Sequence, residues 1–209
     1  MNKSYDIING AGQVMISAPH CVSHIREGRE KKAEAETKDI LLKLCSKTGC
    51  YGIYKTYDSE NILHNVDPNY HDSDYKKYLV EFIKKNKIRY LFDLHQMMPQ
   101  KNGVTRKDIC LGTGGENHHN INGDFQFLTL VQNALIDNNF TVAINDYNLG
   151  ATMPRTICQT VAKECGIKCI QIEINSKKIK KCVGVLFSYK DYFNLIIALE
   201  RVVKLTQKR

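Results

Sequence analysis

The stretch YLFDLHQMM, at residues 90–98, decides the fold. It begins as a short and nearly continuous apolar run, which is typical of a strand buried on both faces of a sheet. The same run then carries Asp93 and His95 at its end. A second apolar run, VMISAPH at residues 14–20, ends in His20 in the same way. Two buried strands are therefore predicted to present polar, chemically active side chains at their ends.

Strand-like and helix-like segments alternate along the chain. A third apolar run, CIQIEIN at residues 169–175, carries Glu173 near its end. Amphipathic spacing predicts helices, most clearly in SDYKKYLVEFIKKN, where Ser73 is suited to the N-cap. The predicted strands are residues 12–18, 50–56, 88–94, 108–114, 140–144 and 168–174, and the predicted helices are residues 30–48, 73–86, 124–138, 155–165 and 188–206. The alternation predicts one α/β domain over residues 1–209 with a mixed, mostly parallel sheet.

Length and composition are those of an ordinary globular domain. Of the 209 residues, 43% are apolar and 25% are charged. No apolar run approaches the roughly 20 residues that a membrane span needs, and the N-terminus lacks the apolar segment of a signal peptide. The eight cysteines are scattered and include no C-x-x-C pair. Reduced thiols and a cytoplasmic location are therefore predicted.

The net charge of +8 raises the question of a nucleic-acid partner. Lysines cluster at residues 84–87, 177–181 and 204–209. These clusters contain no interleaved aromatic residues and match no nucleic-acid recognition motif, so nucleic-acid binding is not favoured. A positive field would instead help to attract a small anionic substrate.

The polar residues at the strand ends are predicted to converge. Functional groups in open α/β sheets gather beyond the carboxyl ends of the strands, which would bring His20, His95 and Glu173 together. Two histidines and one carboxylate are a suitable ligand set for catalytic zinc, which would activate a water molecule and polarise a carbonyl group. The carboxylate would come from the segment after the first strand, as Glu34 or Glu36. Glu173 is then placed to act as general base and acid.

Further residues are candidates for supporting roles. Asp93 stands two residues before His95, so both would lie on one face of a strand, where Asp93 could orient the histidine. Arg26 and Arg155 are candidates for binding a substrate carboxylate through paired hydrogen bonds. Cys21, next to His20, raises the alternative of a cysteine nucleophile, but the sequence contains no recognisable Cys–His–Asn set.

The ordered motifs of the chain resemble one known family. SAPHCVSHIREG, AEAETKD, DPNY, YLFDLHQM, LGTG and IQIEIN are similar to the motifs of the N-formylglutamate amidohydrolase-like family, which is related in fold to zinc carboxypeptidases. The resemblance extends from about residue 14 to about residue 176. It implies a phosphorylase/hydrolase-like three-layer α/β/α sandwich with one Zn²⁺ per chain. It also implies hydrolysis of an amide bond in a small N-acyl or N-formyl amino acid-like substrate, which would carry a carboxylate.

The resemblance also implies a role for each residue that matches a motif. The implied roles are metal binding for His20, Glu36 and His95, general base for Glu173, substrate binding or oxyanion stabilisation for Arg155, and cleft lining for Asn69 and Arg26. The choice of Glu36 over Glu34 depends on the resemblance alone.

The chain departs from the family pattern at three positions. Cys21 follows His20 where glycine or serine is usual, Gln96 follows His95 where glycine is common, and Lys177 stands where an arginine is often found. Lysine does not replace arginine in paired hydrogen bonding to a carboxylate. These departures motivate an alternative function, a non-catalytic small-anion or metal-binding module on the same fold.

Overall fold

A mixed sheet forms the centre of the computed structural model, which describes residues 3–57, 65–179 and 187–209. The strands are β1 (Tyr5–Ile8), β2 (Val14–Ala18), β3 (His24–Arg26), β4 (Arg29–Lys31), β5 (Tyr51–Lys55), β6 (Tyr90–Met97), β7 (Gln100–Lys101), β8 (Val104–Thr105), β9 (Ile109–Gly112), β10 (Val142–Ile144) and β11 (Lys168–Asn175). The helices are α1 (Ala35–Thr48), α2 (Asp74–Asn86), α3 (Phe125–Ile136), α4 (Ile157–Cys165) and α5 (Phe187–Gln207).

The sheet is parallel at its centre and antiparallel towards its edges. Within the described residues its seven strands follow the order β1-β5-β2-β6-β11-β9-β10. Strands β5, β2, β6 and β11 are parallel to one another. At the edges, β1 pairs antiparallel with β5, β9 pairs antiparallel with β11, and β10 is parallel to β9. The predicted mixed, mostly parallel sheet is confirmed.

Helices cover both faces of the sheet. One core cluster joins α1, α3 and α5 to one face, and the other joins α2 and α4 to the opposite face. Because side chains alternate along a strand, Phe92 of β6 packs in the first cluster and Leu91 in the second. Asp93 and His95 share the face of Leu91, on the side of α2 and α4. The three-layer α/β/α prediction is therefore confirmed.

Two small hairpins extend the chain around the carboxyl ends of the central strands. The hairpin β3–β4 lies between β2 and α1, and β7–β8 follows β6. Their turns are Glu27-Gly28 and Asn102-Gly103, and all four residues have positive φ. Two consecutive residues of this kind match the twist of a tight hairpin. The first hairpin explains why α1 begins at Ala35, later than the predicted helix over residues 30–48.

A disulfide contradicts the prediction that all cysteines are reduced thiols. Cys158 of α4 and Cys169 of β11 are bonded to each other. Residues from two different elements meet here, so their spacing in the sequence carries no signal of the contact. The other cysteines of the described residues are free, and Cys182 lies outside those residues. The cytoplasmic location stays a prediction.

The described part of the chain contains no helix with both the length and the apolar character that crossing a membrane requires.

Gly112, at the end of β9, allows another segment to pass close to the sheet. A Cβ atom at this position would lie 2.6 Å from the carbonyl oxygen of Leu149 and 3.1 Å from the carbonyl carbon of Gly150. These contacts are with backbone, which cannot rotate away as a side chain can. Glycine at this position therefore fixes where the segment at residues 149–150 crosses.

We expect Gly112→Ala to lower the free energy of unfolding by about 1–3 kcal/mol because it overpacks the crossing. For a chain of this size, this corresponds to a fall in Tm of roughly 3–10 °C, measured by thermal denaturation. Gly150→Ala is the control, because the three atoms nearest to its added Cβ belong to side chains and lie at 3.3–3.5 Å. Equal Tm values for Gly112→Ala and the wild type would contradict the close approach.

Candidate metal centre and active site

Three side chains converge at the carboxyl ends of β2 and β6. The Nδ1 atoms of His20 and His95 lie 3.0 Å apart. The carboxylate of Glu34 lies 3.4 Å from Nδ1 of His20 and 3.7 Å from Nδ1 of His95. Both histidines are only 2% exposed. The three residues come from the end of β2, from β6 and from the position just before α1.

The spacing and chemistry of these donors fit a metal ion. Zinc ligands at 2.0–2.2 Å in tetrahedral geometry lie about 3.3 Å from one another. The three measured separations bracket this value. The Nε2 atoms of His20 and His95 each face an aspartate, which leaves the two Nδ1 atoms, 3.0 Å apart, as the nitrogens that could bind a metal ion. The centre is therefore a ready set of two nitrogen donors and one carboxylate.

Asp93 orients His95. Its Oδ2 atom lies 2.9 Å from Nε2 of the histidine, and its Oδ1 atom accepts a hydrogen bond of 2.5 Å from the hydroxyl of Ser17. Asp93 is fully buried. A carboxylate held on the far side of a histidine ring selects the tautomer and makes the opposite nitrogen a stronger ligand.

Asp67 orients His20 in the same way, and sequence reasoning missed it. Its Oδ1 atom lies 2.8 Å from Nε2 of His20 and accepts a second hydrogen bond from the backbone N–H of Asn69. Its Oδ2 atom pairs with Nε of Arg26 at 2.5 Å. The signal in the sequence was the motif DPNY, in which a buried aspartate begins a polar turn.

Glu34, and not Glu36, lies beside the histidines. Glu34 occupies the N-cap position of α1, but its side chain makes no capping hydrogen bond. Its Oε2 atom instead accepts a hydrogen bond of 2.8 Å from the backbone N–H of Gln96. Glu36 belongs to the first turn of α1 and forms no ion pair with either histidine among the described residues. The structure therefore places Glu34, and not the predicted Glu36, beside the two histidines, and a carboxylate ligand from this segment stays a prediction.

The centre favours positive charge. Burial disfavours the charged form of His20, but the carboxylates of Glu34 and Asp67 outweigh it and raise the pKa of His20 to about 10. Burial opposes charge on His95 too, and Asp93 outweighs it and raises the pKa of His95. Burial also disfavours ionised Glu34, yet the two histidines more than offset this and lower its pKa. A cation bound among these groups would meet a field that stabilises it.

A second cluster, formed by His20, His24 and Asp67, is less suited to a metal ion. Arg26 already places a positive charge 2.5 Å from Oδ2 of Asp67. Burial and the neighbouring charge of His20 lower the pKa of His24 to about 4. His24 is instead a neutral ring stacked on His20, with ring centroids 4.3 Å apart. It supports the first cluster by fixing the plane of the His20 ring.

Glu173 stands next to the metal centre on β11. Its Cα is the register partner of the His95 Cα on β6, and its side chain faces the same cleft. Burial raises the pKa of Glu173 to about 7; the charge of His95 opposes this rise, and the Glu34 carboxylate adds to it. A carboxylate with such a pKa can take up and release a proton near neutral pH.

The cleft over the metal centre has a volume of about 460 Å³. Among the described residues that line it, the acidic ones are Glu34 and Glu173, and the basic ones are Arg26, Lys31, Lys101 and Arg106. The hairpins β3–β4 and β7–β8, with the residue that follows the second, supply all four basic residues. The cleft therefore carries an excess of positive charge before any metal ion is added.

Arg155 does not lie in this cleft, contrary to its predicted role. Its side chain is exposed and lines a separate groove with Lys76 and Glu164. Asn69 does line the cleft, but its Oδ1 atom accepts a hydrogen bond of 2.8 Å from the backbone N–H of Ile157. Asn69 thereby ties the cleft wall to the first turn of α4.

Arg106 lines the cleft, whereas Arg155 does not. Its guanidinium carbon lies 5.5 Å from the ring centroid of Tyr147, and its backbone N–H donates to Pro99 and so closes the second hairpin. No ion pair of the described residues includes Arg106, whereas Arg26 is bound to Asp67. Sequence reasoning missed Arg106, because its loop position gave no sign of which side of the sheet it faces.

Cys21 is unsuited to nucleophilic chemistry. It is buried, its thiol donates to the carbonyl oxygen of Lys55 at 3.0 Å, and burial raises its pKa to about 11. A thiol with so high a pKa is almost entirely protonated at neutral pH.

We expect Glu34→Gln to abolish tight binding of a divalent metal ion, because the amide supplies no negative charge to the centre. Glu36→Gln is the matched control, with the same chemical change two residues away, and it should bind metal like the wild type. Elemental analysis after dialysis measures the metal content of both variants. Loss of metal in Glu36→Gln with retention in Glu34→Gln would contradict the assignment.

No protein-family model matches this chain, and no curated protein matches it significantly. Solved structures do share its fold. A bacteriophage poly-gamma-glutamate hydrolase superposes with a TM-score of 0.59 at 16% identity, covering 96% of this chain and 89% of the other. N-formylglutamate amidohydrolase from Ralstonia eutropha has a TM-score of 0.58 at 12% identity, covering 98% and 97%.

A metallo-carboxypeptidase from Burkholderia cenocepacia also superposes, with a TM-score of 0.58 at 10% identity, covering 99% of this chain and 66% of the other. At these identities the likeness establishes the fold alone, since one fold supports many functions. The chain therefore has the fold of N-formylglutamate amidohydrolase and of the metallo-carboxypeptidases, as the sequence motifs predicted.

Proposed function

We propose that the protein is a zinc-dependent hydrolase that cleaves an amide bond in a small N-acyl or N-formyl amino acid-like substrate. The observation that carries this proposal is the convergence of His20, His95 and Glu34 beneath a cleft that also contains Glu173. Three protein ligands leave a coordination position open, as catalytic zinc sites require. The hydrolases and the metallo-carboxypeptidase that share the fold support the same reading.

Zinc suits the donor set better than harder cations do. Two imidazole nitrogens and one carboxylate are ligands that zinc commonly takes, whereas magnesium and calcium prefer oxygen ligands. When bound, zinc would supply a Lewis acid that polarises the scissile carbonyl group and lowers the pKa of a water molecule.

The protein's own residues supply the proton transfers. Glu173 would accept a proton from the attacking water and then deliver it to the leaving nitrogen. Its raised pKa suits both steps, because the carboxylate is a stronger base than an exposed glutamate and its acid form is still accessible near neutral pH. Asp93 and Asp67 would keep the histidine rings fixed throughout, since neither aspartate faces the cleft.

The charges of the cleft favour a substrate that carries a carboxylate. Glu34 would be neutralised by the metal ion, which leaves Glu173 facing four basic residues. The poly-gamma-glutamate hydrolase and the N-formylglutamate amidohydrolase are both named for glutamate-derived substrates. We propose an N-acyl derivative of an acidic amino acid as the first substrate class to test.

We expect wild-type protein to contain about one zinc ion per chain and to release free amino acid from N-acyl amino acids. Glu173→Gln should keep its zinc and lose at least about 100-fold in kcat, since general acid–base catalysis contributes 10²–10⁴-fold. Metal content by elemental analysis and turnover by amine release test both statements. Zinc binding without turnover on any N-acyl amino acid would favour the non-catalytic metal-binding module instead.

Arg106 is expected to recognise the substrate carboxylate. Arg106→Ala should lower kcat/KM for an N-acyl amino acid by roughly 10- to 100-fold, because a hydrogen bond to a charged group is lost. The corresponding carboxamide substrate should be hydrolysed equally by the variant and the wild type. Arg155→Ala is the matched control and should leave both rates unchanged. An equal loss for carboxylate and carboxamide substrates would count against this role.

A further inference from the structure

Gln171 lies beside Glu173 in the wall of the cleft. The two residues are two apart on β11, so their side chains share one face of the strand. The amide nitrogen Nε2 of Gln171 donates a hydrogen bond of 2.9 Å to Oε1 of Glu173. Both side chains are buried, at 6% and 7% exposure. Because the pair is buried, few water molecules are available to form this hydrogen bond in place of Gln171.

The neighbouring strand contains the same arrangement with opposite chemistry. On β6, Asp93 lies two residues before His95 and accepts its hydrogen bond. The parallel register pairs Asp93 with Gln171 and His95 with Glu173. An acceptor therefore stands behind the histidine, and a donor stands behind the glutamate. Asp93 accepts a hydrogen bond from the imidazole of His95, and Gln171 donates one to the carboxylate of Glu173.

Glu173 depends on Gln171 for its orientation. Among the described residues, no other side chain donates a hydrogen bond to the Glu173 carboxylate. A buried carboxylate with one oxygen held by an amide has one remaining oxygen with which to exchange a proton. Without that donor, the carboxylate would be free to rotate about its last bonds, and its ionised form would lose a favourable contact.

We propose that Gln171 is a positioning residue for Glu173, holding Oε1 by its amide so that Oε2 is presented to the cleft. The inference rests on the proposed function of Glu173 as the general base. In this proposal Gln171 acts through Glu173 and does not contact the reacting atoms.

Three variants test the proposal. Gln171→Met keeps the approximate volume and removes the donor, Gln171→Glu keeps the shape and replaces the donor by a carboxylate, and Gln126→Met makes the first change at an exposed position of α3. Circular dichroism and zinc content verify that each variant is folded and loaded. Steady-state kinetics are then measured on the zinc-loaded protein between pH 5 and pH 9.

Gln171→Met should lower kcat by roughly 10- to 100-fold with little change in KM, because the lost contact orients the base and does not bind substrate. The acidic limb of its pH–rate profile should move to higher pH, since removing a hydrogen bond to the ionised form raises the pKa of Glu173. Gln171→Glu should move the limb further, because two neighbouring carboxylates resist joint ionisation. Gln126→Met should match the wild type.

Two results would overturn the proposal. An unchanged kcat and pH profile in Gln171→Met would show that Glu173 needs no partner. A raised KM with unchanged kcat would make Gln171 a substrate-binding residue instead.

A separate readout distinguishes failure of this inference from failure of the proposed function. The pKa of the Glu173 carboxyl group can be followed by ¹³C NMR in labelled, zinc-loaded protein without any substrate. A higher pKa in Gln171→Met than in the wild type supports the hydrogen bond even if no substrate is turned over. An unchanged pKa of Glu173 in Gln171→Met would contradict the inference, whether or not the wild type is an active hydrolase.

Discussion

The parallel pairing of β6 with β11 is the constraint on which the rest of the active site depends. Because the two strands run in the same direction and in register, His95 and Glu173 lie side by side at the same height of the sheet. Alternation then places Asp93 and Gln171 directly behind them, while the intervening residues pack in the core on the other face. A shift of β11 by one residue in this pairing would turn Gln171 and Glu173 away from the cleft while Asp93 and His95 stayed in place.

Two buried aspartates place negative charge against the two histidine rings of the site. Asp67 and Asp93 are removed from solvent, and each carboxylate interacts with a histidine ring instead of with water. Arg26 compensates Asp67 on its outer side, so that the aspartate does not stand alone in the interior. Burial in the same surroundings raises the pKa of Glu173, although the charges of His95 and His20 oppose this rise. The same burial therefore surrounds the histidine cluster with carboxylates and raises the pKa of Glu173.

Sequence reasoning identified the residues that stand on strands and was less successful with those on loops. Asp93, His95 and Glu173 lie on strands, where period-2 alternation fixes the face of each, and His20 follows the end of β2 after Pro19. The carboxylate beside the histidines is Glu34 and not the predicted Glu36, since the conformation of the chain just before α1 decides which of the two reaches them. Asp67 and Arg106 were missed and Arg155 was misplaced, because loop residues obey no periodicity.

The sequence by itself determined the mixed, mostly parallel α/β class, six of the seven strands of the central sheet and the polar groups at their ends, but not the edge strand β1 or the two hairpins. These properties follow from local hydrophobic patterns, which any chain must satisfy to bury its apolar residues. Only the tertiary structure decided which carboxylate lies beside the two histidines, which arginines line the cleft and which cysteines are bonded. Each of these depends on contacts between segments far apart in the chain, such as Glu34 with the backbone of Gln96 or Cys158 with Cys169. Such contacts are set by packing in three dimensions, and no local pattern encodes them.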